Sequence, residues 1–100
     1  MNINVEELRA KIMPVIKKQK LKKVVLFGSR ARGNAKQNSD YDFYIDAPEI
    51  QSMFKLSELF TDMKSCLQSE VDIVLTPDKY TKIQDYLMQA IQKDGVVIYE

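Results

Sequence analysis

The sequence contains no histidine among its 100 residues. This absence excludes Ser–His–Asp triads, histidine general bases and zinc sites that use histidine ligands. The single cysteine, Cys66, excludes an internal disulfide, and we expect such a chain in a reducing cytoplasm. Carboxylates therefore remain as the good metal ligands, and they favour hard cations such as Mg²⁺ or Mn²⁺.

Long apolar runs are also missing. No run approaches the roughly 18 residues of a membrane span, and the first residues lack the basic and apolar regions of a signal peptide, so we expect no membrane association. The net charge of +1 gives no general attraction to polyanions. The lysine-rich run 17–23 offers cations that complement the dipole at a helix C-terminus, and we do not expect direct nucleic-acid binding.

Hydrophobic periodicity predicts the order helix, strand, strand, helix, strand, helix, strand. Asn4 is typical of a helix cap, and Pro14 predicts a kink or a break in the first helix. The length suits one compact domain over residues 1–100. We predict an α/β fold, a two-layer mixed β-sheet with helices. The predicted strands centre on Val24–Phe27, Tyr41–Ile45, Val71–Leu75 and Val96–Tyr99, and the last helix contains Tyr80, Ile83, Leu87 and Ile91.

Three aspartates lie in predicted strands. Asp40 and Asp42 are two residues apart, so their side chains project from one face with Cα atoms about 6.5–7 Å apart. Two like charges on one face repel unless a cation neutralises them. Asp72 lies in a strand of otherwise apolar residues, where an unpaired carboxylate is costly. One metal site formed by these three acids satisfies them all, whereas Asp46, about 13 Å from Asp42 along the strand, is too distant.

A glycine–serine pair ends the first predicted strand. Gly28 allows the backbone to approach a ligand closely, and exposed N–H groups with the Ser29 hydroxyl suit phosphate oxygens. Arg30 and Arg32 follow, and their guanidinium groups can pair with phosphates in a fork geometry. Ser39 is expected to be a turn residue. A phosphate cradle beside a carboxylate metal site is the equipment for metal-assisted phosphoryl or nucleotidyl transfer.

The combined motifs resemble the signature of the DNA polymerase beta-type nucleotidyltransferase superfamily. Ten residues separate Gly28-Ser29 from Asp40-x-Asp42, and Asp72 follows in a short apolar strand. The Gly-Ser-Arg-Ala-Arg-Gly segment resembles that of minimal nucleotidyltransferases of bacteria and archaea, and the resemblance covers nearly the whole chain. It implies a polymerase-beta-like fold in which Asp40 and Asp42 coordinate two Mg²⁺ ions. It also implies that Asp72 binds the catalytic ion and helps to activate the attacking group, while Gly28 and Ser29 hold the triphosphate.

Minimal nucleotidyltransferases commonly act with a separate helical HEPN protein, as antitoxin and toxin. The resemblance thus implies an enzyme that transfers AMP from ATP to a tyrosine of a HEPN partner. Two alternatives stay open: a non-catalytic antitoxin that masks its partner, and a small-molecule transferase of the aminoglycoside-modifying kind. A homo-oligomer also stays open. Apolar residues left over from the predicted core are candidates for a partner surface, namely Met53, Phe54, Met88 and Tyr99.

Overall fold

The structure, a computed structural model, describes residues 4–75 and 85–100. The predicted order of helices and strands is confirmed, with the addition of one short helix, α2, between the first two strands. The predicted helix positions Tyr80 and Ile83 lie outside the described residues. The elements are α1 Val5–Gln19, β1 Lys23–Phe27, α2 Ser29–Arg32, β2 Tyr41–Asp46, α3 Met53–Leu67, β3 Val71–Leu75, α4 Asp85–Asp94 and β4 Val96–Tyr99.

The strands form one mixed sheet in the order β3-β2-β1-β4. β1 pairs antiparallel with both β2 and β4, whereas β2 and β3 run parallel. In the β2–β3 ladder Asp42 is the register partner of Asp72, and in the β1–β2 ladder it faces Phe27. Asp42 therefore lies between the end of β1 and the third aspartate, as expected if neighbouring strands carry the acids.

The main hydrophobic core lies on the first face of the sheet, under α1 and α3. Alternate strand residues point to this face, so Phe43 and Ile45 of β2 are fully buried while Asp42 and Tyr44 are only half-buried. Full burial of each such aliphatic or aromatic side chain contributes about 1.5–3 kcal/mol. The helices supply Leu8, Ile12, Val15, Ile16, Leu59 and Met63 to this core.

The second face of the sheet carries a smaller cluster beneath α4. Ile91 of α4 packs there with Val25 and Phe27 of β1, and Tyr44 contacts the same cluster. The predicted mixed α/β sheet is thus confirmed, and α4 adds a helix on the face opposite α1 and α3. Asp42 has the same strand parity as Tyr44, so the aspartates lie on this second face.

Helix α1 begins at the predicted cap, where the Asn4 side chain accepts a hydrogen bond from the Glu7 N–H at 3.0 Å. The predicted break at Pro14 is wrong, because α1 continues through it to Gln19. Proline removes one backbone hydrogen bond from a helix. Burial of Ile12 and Val15, on either side of it, against the sheet keeps the helix continuous.

A polar contact joins the C-terminal end of α1 to α3. Gln19 is only 4% exposed, and its amide nitrogen donates to Glu58 at 3.0 Å and to Asp62 at 3.2 Å. Lys18 forms salt bridges with the same two carboxylates at 3.3 and 3.0 Å. The packing of the two helices is therefore fixed by directional bonds at one end as well as by the core.

The four apolar residues proposed for a partner surface do not share one environment. Met53 and Phe54 at the start of α3 are 79% and 77% exposed, whereas Met88 is half-buried and Tyr99 packs against the main core. α3 begins after the C-terminal end of β2, so Met53 and Phe54 lie at the end of the sheet away from Asp40 and Asp42. No helix in the described part of the chain is long and apolar enough to span a membrane.

Candidate active site

The three predicted acids lie at one end of the sheet, on its second face. Asp40 immediately precedes β2 and is exposed, and Asp42 is half-buried within β2. Asp72 is also exposed, contrary to the expectation from its apolar neighbours. β3 is an edge strand whose Val71 and Ile73 face the core, so the opposite face at Asp72 stays open to solvent. The most desolvated of the three carboxylates is therefore Asp42.

The surroundings of Asp42 disfavour the charged form of its carboxyl group. Partial burial of its carboxyl group raises the pKa of Asp42 above the usual value, and the negative charges of Asp72 and Asp40 raise it further. The positive charge of Arg32 opposes them. A divalent cation or a protonated partner beside Asp42 would relieve this repulsion.

The backbone of Gly28 packs directly against the Asp42 carboxylate. Its backbone has φ 79° and ψ −158°, a conformation that essentially only glycine adopts. A Cβ added at this position would overlap the Asp42 Oδ2 atom and lie 3.2 Å from its Cγ. The Gly28 backbone therefore lies directly against Asp42, another residue of the predicted site, and its close approach to a ligand stays a prediction.

Helix α2 follows Gly28 directly and carries Ser29 and Arg32. The Arg32 N–H bonds back to the Gly28 carbonyl at 3.1 Å, and the first amides of such a turn have no partner within the helix. The Arg32 guanidinium forms a salt bridge with Asp94 of α4 at 3.1 Å. Sequence reasoning missed Asp94, since a contact between α2 and α4 has no signal in local spacing.

Arg30 has a different environment from Arg32. Its Nε and Nη2 atoms donate to the Ser39 carbonyl at 2.9 and 2.6 Å, and Nη2 also donates to the Gln37 carbonyl at 3.2 Å. Its guanidinium carbon lies 4.1 Å from the centre of the Tyr41 ring. The expected turn role of Ser39 is confirmed, because its hydroxyl accepts from the Lys36 N–H at 2.8 Å. The predicted phosphate contact of Arg30 stays a prediction.

The aspartates suit a divalent ion by chemistry but are not assembled into a closed metal cage. Within residues 4–75 and 85–100 no three His, Cys, Asp or Glu side chains are grouped so as to hold a metal ion. Mg²⁺ is usually bound by one or two carboxylates together with substrate phosphates, not by an all-protein cage. Partial burial is the main cause of the raised pKa of Asp42, and the negative charges of Asp72 and Asp40 add to it. The donor set therefore fits an ion that arrives with a nucleotide.

Comparison with known proteins agrees with this geometry. The model of the family described as "Polymerase beta, Nucleotidyltransferase" matches residues 10–100. "Putative protein adenylyltransferase MJ0435" of Methanocaldococcus jannaschii is 31% identical over 94 residues, which cover 94% of this chain and 97% of that protein. "Protein adenylyltransferase MntA" of Thermococcus cleftensis is 38% identical over 55 residues, which cover 55% of this chain and 56% of that protein.

The fold is also similar to that of solved structures. A chain from the crystal structure of a toxin–antitoxin with AMP-PNP superposes with a TM-score of 0.72 at 27% sequence identity. The match covers 91% of the present chain and 72% of that chain.

Proposed function

This chain belongs to the polymerase beta nucleotidyltransferase family, and on that premise we propose that it transfers AMP from ATP to a tyrosine hydroxyl of a HEPN-domain partner. Nucleotidyl transfer is its enzymatic class. The proposal treats residues 1–100 as one nucleotidyltransferase domain. The observation that carries it is the pairing of Asp42 with Asp72 across two parallel strands, directly beside the glycine that ends β1.

The proposed site has two halves. Gly28, Ser29 and Arg32 bind the triphosphate, and Asp40 and Asp42 hold two divalent ions, Mg²⁺ or Mn²⁺, with Asp72 contributing to the catalytic ion. Bound there, the ions would neutralise phosphate charge and lower the pKa of the attacking oxygen. Supporting this arrangement, Arg32 is already close enough to oppose the rise in the pKa of Asp42. Arg32, proposed for the phosphates, and Asp42, proposed for the metal ions, thus interact electrostatically.

In the proposed reaction one bond to phosphorus forms and one breaks. The tyrosine oxygen forms a bond to the α-phosphorus of ATP, and the bond from that phosphorus to the pyrophosphate oxygen breaks. As the new bond forms, the tyrosine proton passes to the Asp72 carboxylate, which is exposed at the sheet edge and can release that proton to water. The AMP group adds bulk and negative charge to the partner, which gives the antitoxin effect.

Two relatives support a protein acceptor, and a similar solved chain supports a toxin partner. The similar proteins of M. jannaschii and T. cleftensis are both named as protein adenylyltransferases, and the similar solved chain comes from a toxin–antitoxin with an ATP analogue. The names of these two relatives favour a protein acceptor over a small-molecule acceptor. Mass spectrometry of the partner distinguishes AMP transfer from the action of a non-catalytic antitoxin.

The test is to co-express the chain with its HEPN partner and to weigh the partner by mass spectrometry. A gain of one AMP unit or more, lost in Asp40→Ala, is the expected result. Asp46→Ala is the matched control, because Asp46 lies in the same strand but at its far end and should leave the transfer intact. Full protection by Asp40→Ala with no mass change would show that the protein acts by binding alone.

A further inference from the structure

Arg30 holds the residues on both sides of Asp40. It donates to the carbonyl of Ser39, which precedes Asp40, and it stacks on the ring of Tyr41, which follows it. Asp40 itself is exposed and precedes the first ladder position of β2, so strand pairing does not fix its carboxylate. Arg30 thus contacts both the residue before Asp40 and the residue after it.

The Arg30 guanidinium also bonds to the loop that precedes Asp40. Residues 36–39 form a turn in which the Ser39 N–H donates to the Lys36 carbonyl at 3.0 Å. Arg30 Nη2 adds a bond to the Gln37 carbonyl within this turn. The Tyr41 N–H donates to the Glu70 carbonyl at 3.1 Å, which ties the other side of Asp40 to the start of β3. Arg30 therefore links the loop to the sheet.

The direction of the Arg30 side chain argues against a phosphate contact in this state. Tyr41 stacks on Phe43 with ring centres 6.0 Å apart, and Phe43 is fully buried on the first face of the sheet. Arg30 lies over the Tyr41 ring, whereas Asp42 projects from the second face. Two of its nitrogen atoms are already bonded to backbone carbonyls, so a phosphate contact would break these bonds.

We propose that Arg30 is a positioning residue that sets the distance between the Ser29 phosphate cradle and the Asp40 carboxylate. It follows Ser29 in α2, so one end of this link belongs to the cradle and the other to the loop that delivers Asp40. The proposal rests on the proposed function for its chemical meaning. Lysine cannot replace arginine here, because it has neither the planar fork nor the stacking surface.

The test compares Arg30→Lys with the wild type in Mn²⁺ binding, measured by electron paramagnetic resonance with AMP-PNP present. The Mn²⁺ affinity should fall about 10-fold or more, as for loss of a residue that orients a metal ligand. The kcat for AMP transfer should fall while the KM for ATP stays within about twofold. Arg9→Lys is the matched control, because Arg9 Nε also donates to a backbone carbonyl, that of Ile98 at 2.6 Å, away from the aspartates.

A second measurement needs neither metal nor substrate. Hydrogen exchange of the metal-free protein should speed up over residues 36–41 in Arg30→Lys and not in Arg9→Lys. An unchanged Mn²⁺ affinity with a raised KM for ATP would assign Arg30 to the phosphates and overturn the proposal. An equal loss of affinity in Arg9→Lys would overturn it too. If the wild type transfers no AMP, the proposed function fails, and the exchange comparison still decides whether Arg30 holds the loop.

Discussion

At the scale of single residues, the protonation of Asp42 affects the stability of the folded protein. Burial raises the pKa of Asp42 in the folded protein above its usual value of 3.8, and the charges of Asp72 and Asp40 raise it further. A raised pKa means that the folded state favours protonated Asp42. The associated stability is fully present below about pH 3.8 and is lost as the pH rises through the raised pKa.

Asp42→Asn should therefore stabilise the metal-free protein at pH 7. The carboxylate is half-exposed, so solvent screening limits the gain to about 0.3–1 kcal/mol, a rise in Tm of about 1–8 °C. The gain should shrink as the pH falls through the raised pKa of Asp42, where the wild-type carboxylate takes up its proton. Thermal unfolding across pH 4–7 measures it. Glu49→Gln, which removes a charge from an exposed loop, should show no comparable gain, and a lower Tm of Asp42→Asn at pH 7 would contradict the electrostatic account.

Gly28 is the residue at which a single methyl group should disrupt the site. Gly28→Ala forces an alanine into a conformation that only glycine tolerates and places its Cβ against the Asp42 carboxylate. We expect a loss of about 1–3 kcal/mol in unfolding free energy and a weaker ATP affinity. Urea unfolding and calorimetry with ATP and Mg²⁺ measure the two effects.

The control for that substitution is Gly33→Asn. Gly33 has φ 80° and ψ 11°, the left-handed region that asparagine adopts at modest cost. The Gly33→Asn variant should lose less stability than Gly28→Ala, and its ATP affinity should stay near that of the wild type. A loss of ATP affinity in Gly33→Asn equal to that in Gly28→Ala would mean that the contact of Gly28 with Asp42 is not what weakens ATP binding.

At the scale of secondary-structure elements, the contact between α1 and α3 depends on one buried amide. Gln19→Met keeps the side-chain volume but removes the donor to Glu58 and Asp62. Glu58 and Asp62 keep their salt bridges with Lys18, so we expect a loss of about 1 kcal/mol in unfolding free energy. Lys11→Met, which breaks the exposed Glu7–Lys11 pair within α1, should cost less than about 0.5 kcal/mol. Urea unfolding ranks the two variants, and a larger loss for Lys11→Met would refute the role of Gln19.

The elements also show what the sequence could and could not predict. The strand at Tyr41–Asp46 was predictable from its alternation, and the α1 cap from Asn4 and Glu7, because both signals are local. The exposure of Asp72 was not predictable, since it depends on β3 being an edge strand. The contacts of Arg30 with Ser39 and Tyr41 depend on how the intervening loop folds back, which no spacing rule specifies.

At the scale of the whole molecule, the aspartates couple elements that are far apart in sequence. Asp42 and Asp72 belong to neighbouring strands, and Arg32 connects α2 to α4 through Asp94. A ligand that binds Asp42, Asp72 and Arg32 together would therefore restrain four elements at once. Such a ligand stabilises the folded state by an amount that depends on its concentration relative to its Kd.

We expect Mg²⁺ and ATP to stabilise the protein strongly only in combination. The described residues contain no ready-made metal cage, so Mg²⁺ alone should bind weakly, and ATP alone would bring its negative charge beside that of the aspartates. At about 100 times the Kd of the Mg²⁺–ATP complex the gain is about 2.7 kcal/mol, or a rise in Tm of about 10–20 °C. Thermal unfolding with each component and with both measures this.

Asp40→Ala provides the decisive comparison for that experiment. It removes an exposed carboxylate outside the core, so the metal-free protein should unfold near the wild-type Tm. The added stability from Mg²⁺ and ATP should then largely disappear, because the proposed metal site has lost one of its carboxylates. A full Tm shift in Asp40→Ala would mean that the nucleotide binds without this acid, and Asp40 would then have to be removed from the metal site.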